Sequence, residues 1–154
     1  MGPMLNQEWS EFLENGVAMT LSCCDSELKS KGARCIGAVV GLDRKTVTFY
    51  IQKDSALRVL PILKEQSHVA VVASLPSTYK TLQVKGRYVS HREADARDRI
   101  ILERYRELFF SETDKAGVPS SLMRLMVSFP SIAVDVEVTH LFLSTPGQHA
   151  GTPL

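Results

Sequence analysis

The chain has almost no net charge: 18 lysines and arginines stand against 17 aspartates and glutamates, leaving +1. That balance excludes the broad electrostatic footprint of a nucleic-acid binder. No apolar run is long enough to span a bilayer, so no transmembrane helix is expected. The chain does not open on a charged segment followed by an apolar one, so no secretory leader is expected. Cysteine is scarce and odd in number, with Cys23, Cys24 and Cys35. Adjacent cysteines rarely pair with each other, and no zinc-like spacing is present. Three reduced thiols packed in a core, in a reducing cytoplasmic compartment, fit best. Phosphate-binding glycine motifs are missing: there is no P-loop and no G-x-G-x-x-G after a strand. The histidines, His68, His91, His140 and His149, are scattered without ligand spacing. No Ser-His-Asp arrangement is legible.

What remains is an ordinary globular composition, 44% hydrophobic and 23% charged in 154 residues. That is enough for one domain with a sizeable core. Residues 1–4 and 145–154 read as loose tails. Asn6 is a helix N-cap candidate, with Leu5, Trp9, Phe12 and Leu13 at helical spacing and Gly16 as a stop. Val17 to Cys24 reads as a strand, followed by a loop through Gly32. Ala33 to Leu42 and Thr46 to Gln52 read as two strands around an Asp43-Arg-Lys45 turn. Asp54 or Ser55 can cap a helix running to Gln66, with Pro61 kinking or restarting it. Val69 to Leu75 is nearly all apolar, the pattern of a strand buried on both faces.

A regular alternation follows. Leu82, Val84, Gly86 and Tyr88 fall on one side, and Tyr79, Thr81, Gln83, Lys85 and Arg87 on the other. Ser90 and Glu93 are spaced as a capping box. The helix after them carries Ala94, Ile101, Tyr105, Leu108 and Phe109 as a stripe, with Glu93–Arg97 and Asp95–Arg99 as surface pairs. Pro119 to Met126 reads as a short helix, and Ile132 to Leu143 as a long last strand. Asp135 and Glu137 share one face of that strand as exposed polarity. Hairpin-linked strands with helices between blocks predict an α+β fold, mainly β. Six antiparallel strands can close into a small barrel with flanking helices, which removes exposed edges.

The segments 33–40, 47–52, 55–58, 68–73 and 81–86, in this order and spacing, resemble the pyridoxamine 5′-phosphate oxidase-like family. The most recognisable piece is the alternating strand that ends at Gly86. The resemblance implies a six-stranded antiparallel split barrel that works as a homodimer, with an FMN site between the subunits. It implies Arg34, Cys35 and Ile36 beside the flavin, and Tyr50 and Ile51 at the end of the third strand. It places Lys53, Ser55 and Arg58 at the phosphate, and Thr81 and Gln83 near the ring or phosphate. Flavin-binding members usually carry a basic pair at the helix start, where this chain has Ala56 and Leu57. Arg58 or Lys85 is then the compensating cation.

Three functions follow from that resemblance. One is a small FMN-dependent oxidoreductase taking electrons from NAD(P)H or another small reductant. Another is a non-catalytic binder of FMN, a deazaflavin or haem, with His68 or His140 as the axial ligand for haem. The last is a dimer that has lost its cofactor. Neither nucleic acid nor membrane is an expected partner.

Overall fold

A computed structural model describes residues 2–123 and 126–154. Its elements in chain order are α1 (Gln7–Glu14), β1 (Ala18–Cys24), β2 (Ser30–Val40), β3 (Thr46–Gln52), α2 (Lys53–Gln66), β4 (His68–Ser74), β5 (Thr81–Glu93), α3 (Ala96–Lys115), α4 (Ser120–Met123), β6 (Ser131–Leu143) and β7 (Thr152–Pro153). The strands form one antiparallel sheet in the order β3-β2-β1-β4-β5-β6-β7. Pairing of β3 with β6 closes the first six into a barrel. Closure gives the backbone groups of every barrel strand a partner on both sides.

Period-two patterning decides what lies inside. Met19, Leu21, Cys23, Ala33, Cys35, Phe49, Ile51, Val71, Ala73, Leu82, Val84, Val134 and Val136 fill the interior. α2 adds Ala56, Val59 and Leu63 to that core, and α1 adds Trp9, Phe12 and Leu13. Asn6 caps α1 as predicted, its side-chain oxygen accepting from the Trp9 N–H at 2.8 Å. The outer wall divides in two. Over β2, β3 and β6, Leu102 of α3 packs on Ile36, Tyr50 and Ala133. Among the described residues no helix packs extensively on β4 or β5, and β1 is touched by α2.

Several sequence expectations are corrected. β2 begins at Ser30 and ends at Val40, because Ser30–Gly32 pair with Cys24–Ser22 instead of forming a loop. α2 starts at Lys53 and runs unbroken through Pro61; Gln52 is its N-cap and makes no side-chain capping bond. Pro61 and Leu57 both face solvent, where water can take the carbonyl that the proline leaves free. β4 is not buried on both faces: its pattern alternates, and Val72 is 42% exposed. Ser90–Glu93 continue β5, paired with Asp135–Ile132, instead of opening a helix. The true capping box is Asp95 with Asp98. The buried stripe of α3 is therefore Asp98, Leu102, Tyr105, Phe109 and Thr113, with Ile101 37% exposed. Glu93 pairs with Lys53 at 2.6 Å, and Asp95 serves as the cap. The expected helix at 119–126 is observed over Ser120–Met123; residues 124–125 lie outside the described residues. The tail folds back as β7 on Phe142 and Leu143.

Candidate functional site

The part of the barrel wall not covered by Leu102 of α3 has an ordered chemistry, set by register across four or five strands. Arg34, Thr20, Val72, Gln83 and Phe142 are successive cross-strand partners in one row. Gly32, Ser22, Ala70, Lys85 and His140 form the next. The centre of both rows is therefore small: Thr20, Ser22, Ala70 and Val72. The ends carry Arg34 on one side and Gln83, Lys85 and His140 on the other. Three strand spacings put Arg34 and Gln83 about 14 Å apart along the sheet, enough to lay a tricyclic ring between them.

The boundaries of this floor are also defined. Phe109 of α3 lies beneath the Arg34 guanidinium at 5.3 Å. Arg58 of α2 reaches over the adjacent strand, donating to the Gly32 carbonyl at 3.4 Å. On the far side, Lys85 sits 5.3 Å over the Phe142 ring, and His140 stacks on the same ring. None of Arg34, Arg58 and Lys85 has a carboxylate within ion-pair distance among the described residues. The floor is thus flanked by cations whose charge is not neutralised locally.

The implied site residues separate into three groups. Arg34, Gln83 and Lys85 have exposed or half-buried side chains on this wall, Arg58 reaches it from α2, and Ser55 is half-buried in the first turn of α2. Lys53 is exposed but held by Glu93, whose carboxyl that ammonium keeps below its usual range. Thr81 is buried: its hydroxyl donates to the Tyr79 carbonyl at 2.7 Å and meets the Ser74 hydroxyl at 2.8 Å. Cys35 and Ile51 point into the core, where burial pushes the Cys35 thiol up to about 12. Ile36 and Tyr50 lie under α3. The Tyr50 hydroxyl donates to Asp98 at 2.7 Å. Burial, with Asp98 behind it, raises that phenol well above its ordinary value. Cys35, Ile36, Tyr50 and Ile51 are all buried, so their side chains are closed to a ligand on this wall.

Sequence reasoning missed Thr20, Ser22 and Val72, which form the centre of the floor. The usable signal was an apolar residue exposed on a barrel strand. It also missed a cleft of about 570 Å³ between the β1–β2 hairpin and the wall, lined by Leu28, His68, Lys85, Arg87 and His140 among others.

Neither a protein-family model nor a curated protein matches the chain. Solved structures do. An F420 reductase superposes with a TM-score of 0.57 at 13% identity, covering 89% of this chain and 98% of that one. HupZ from Group A Streptococcus superposes at 0.56 and 15% identity, covering 96% of this chain and 100% of its own. A candidate pyridoxamine 5′-phosphate oxidase from Lactobacillus delbrueckii superposes at 0.55 and 12% identity, covering 90% and 93%. The fold is a split barrel. At these identities the likeness extends to the fold alone. No helix of this split barrel, among the described residues, is long and apolar enough to cross a membrane.

Proposed function

We propose that this split barrel binds FMN on its open wall, between two copies of the chain, and acts as a small flavin-dependent oxidoreductase. The observation that carries the reading is the floor of Thr20, Ser22, Ala70 and Val72 with unneutralised cations at both ends. Small side chains leave room for a flat ring, and Arg34 with Arg58 gives the phosphate its charge-assisted donors. The first turn of α2 adds to this end. Gln52 makes no side-chain cap there; the Lys53 N–H donates to the Pro130 carbonyl at 3.1 Å, which leaves the later first-turn N–H groups and the Ser55 hydroxyl for an anion. Asp54 in the same turn opposes the phosphate, which makes the two arginines more important. Ala56 is 2% exposed and belongs to the core, so a cation at that position would be buried. Arg58 takes over from the usual basic pair.

When bound, FMN supplies two-electron redox chemistry. The chain's own residues position and screen it. Gln83 offers an amide at the edge of the floor, and Lys85 places a positive charge there that favours electron-rich states of a ring. Arg34 and Arg58 hold the charged tail. A second copy closing over exposed Val72 would exclude water, and this proposed homodimer completes the site.

An absorbance titration with FMN tests the reading. A shifted flavin band should saturate at one FMN per subunit. Arg34→Ala and Arg58→Ala should each raise Kd by about 10- to 100-fold, the worth of one hydrogen bond to a charged group. No spectral change at high micromolar FMN would overturn it. A Soret band on titration with hemin instead would move the reading to haem, with His68 or His140, which share the cleft, as the ligand. Separately, sedimentation should give a dimer, and Val72→Lys should shift it to monomer by placing a charge at the centre of the contact. A wild-type monomer at tens of micromolar would remove the shared site.

A further inference from the structure

Beside the floor, the β1–β2 hairpin and residues of β4, β5 and β6 line the cleft of about 570 Å³. That volume suits a small-molecule ligand. Its polar lining is unevenly charged. Lys85 and Arg87 project into it from alternate positions of β5, with His68 and His140 from the strands on either side. His68 is the cross-strand partner of Arg87, and His140 that of Lys85. Across β6 the partner of Arg87 is Glu137, but neither Lys85 nor Arg87 makes an ion pair among the described residues. The one carboxylate in the lining, Asp25, is turned onto its own hairpin, where Oδ1 accepts from the Glu27 and Lys29 N–H groups at 2.9 Å each. Ser22, Ser30, Thr139 and Gln66 add neutral polar groups, and Leu28 and Val69 an apolar wall. Two unneutralised cations beside neutral donors in a concave site are the chemistry that holds a phosphate or pyrophosphate.

We propose that this cleft binds the phosphate-bearing part of a second ligand, which meets the flavin across Lys85. The proposal rests on the FMN reading for that meeting, but not for the binding itself. Lys85 belongs to both surfaces: it is in the floor's second row and in the cleft lining. A ligand anchored at Arg87 would therefore extend naturally onto the ring. A phosphorylated substrate and a nicotinamide dinucleotide share this chemistry.

Isothermal titration of the full chain with inorganic pyrophosphate, without FMN, tests the cleft. Saturable binding is expected, and Arg87→Ala should weaken it at least 10-fold. Arg58→Ala, at the other end of the floor, should leave the binding component that Arg87→Ala removes within about twofold; a separate component lost only in Arg58→Ala reports the FMN-phosphate end. Arg87→Ala should in turn leave FMN affinity within about twofold, which separates failure of this proposal from failure of the flavin reading. Arg87→Lys serves as a second variant, retaining the charge but not the fork, with intermediate affinity; circular dichroism checks that both variants fold. Two further arms distinguish the ligand's source. NADPH binding tighter than pyrophosphate and sensitive to Arg87→Ala identifies a dinucleotide; equal affinity of NADPH and pyrophosphate identifies a phosphorylated substrate. No pyrophosphate binding at 10 mM, or binding lost in Arg58→Ala and kept in Arg87→Ala, overturns the proposal.

Discussion

Replacing Asp98 by alanine should destabilise the protein by about 3 kcal/mol, the cost of breaking a buried pair. Asp98 accepts four hydrogen bonds. It accepts from Arg92 Nη1 at 2.6 Å and Nη2 at 2.9 Å, from the Tyr50 hydroxyl at 2.7 Å and from the Asp95 N–H at 2.7 Å. Its side chain is 4% exposed, whereas that of Arg92 is 52% exposed. Water can therefore resolvate Arg92 after the change, but not Tyr50, whose buried hydroxyl would lose its acceptor. The same carboxylate completes the capping box of α3. Thermal melting should show a drop of about 6–12 °C at neutral pH. Asp98→Asn keeps the shape and an acceptor for Tyr50 but loses the charge, so it should fall by roughly half as much.

The pH dependence has a definite sign. The bidentate bond from Arg92 is the main reason that the Asp98 carboxyl lies well below the usual carboxylate range, with Asp95 and Tyr50 adding to it. A carboxylate with a lowered folded value contributes stability that is fully present above its unfolded value, about 3.9. That contribution is lost as pH falls through the folded value. The melting gap between wild type and Asp98→Asn should thus be constant from pH 8 to 5 and narrow below about pH 4. A gap that stays constant into strong acid would show that the charge of Asp98 is not what stabilises the fold.

Asp98 also shows where the sequence was legible. Period-two alternation marked β3 at its observed bounds and β6 within one residue, because one face of each strand fills the barrel. The Asn6 cap was legible because its geometry is local. The box at Ser90–Glu93 misled because four residues carry a capping pattern and a strand pattern equally well. Pairing with β6 decided the matter, with Ser90 donating to Asp135 at 3.1 Å. The true box uses two aspartates, and its second member is a buried charge made tolerable by nearby Arg92 and by Tyr50, which is distant in sequence. The rotated stripe of α3 follows from the same fact, since a polar residue at a core position defeats hydrophobic periodicity.

The candidate site was less legible than the fold, for a geometric reason. Arg34 and Gln83 stand 49 positions apart in the numbering and become neighbours of one floor only after β1 and β4 intervene. Val72 sat in a run that read as wholly buried; its exposure depends on the wall being free of helices. Arg34, Gln83 and Lys85 share one wall, and Arg58 reaches its Gly32 edge from α2. Cys35 and Ile51 came from the family resemblance and lie in the core. A resemblance in strand order transfers positions along the backbone, whereas the ligand face depends on which way each side chain points.

Gly86→Ala should be as damaging as Asp98→Ala, by a different route. A Cβ at Gly86 would stand 2.4 Å from the Glu137 carbonyl oxygen and 2.5 Å from Val136 Cγ1. Neither can move freely, because both belong to the barrel strand β6. The position also marks a break in register: Lys85 opposes His140 but Gly86 opposes Val138, so Thr139 is extra. The bulge is fastened by the Thr139 hydroxyl donating to the Lys85 carbonyl at 3.2 Å. Such a bulge bends and twists its strand. Here it is what sets His140 beside Lys85 on the outer wall while Gly86 lies against β6. Overpacking it should destabilise by about 3 kcal/mol. It should also disturb the cleft, so pyrophosphate affinity should fall together with melting temperature in the molecules that still fold. Gly32→Ala is the matched control. It lies on the same wall, and its Cβ would meet the Leu21 carbonyl oxygen at an ordinary 3.6 Å. That change should be neutral or slightly stabilising, because it restricts the unfolded chain. If the two alanine variants melted at the same temperature, the close approach at Gly86 would not be what holds β5 against β6, and the bulge would have to be fixed by Thr139 alone.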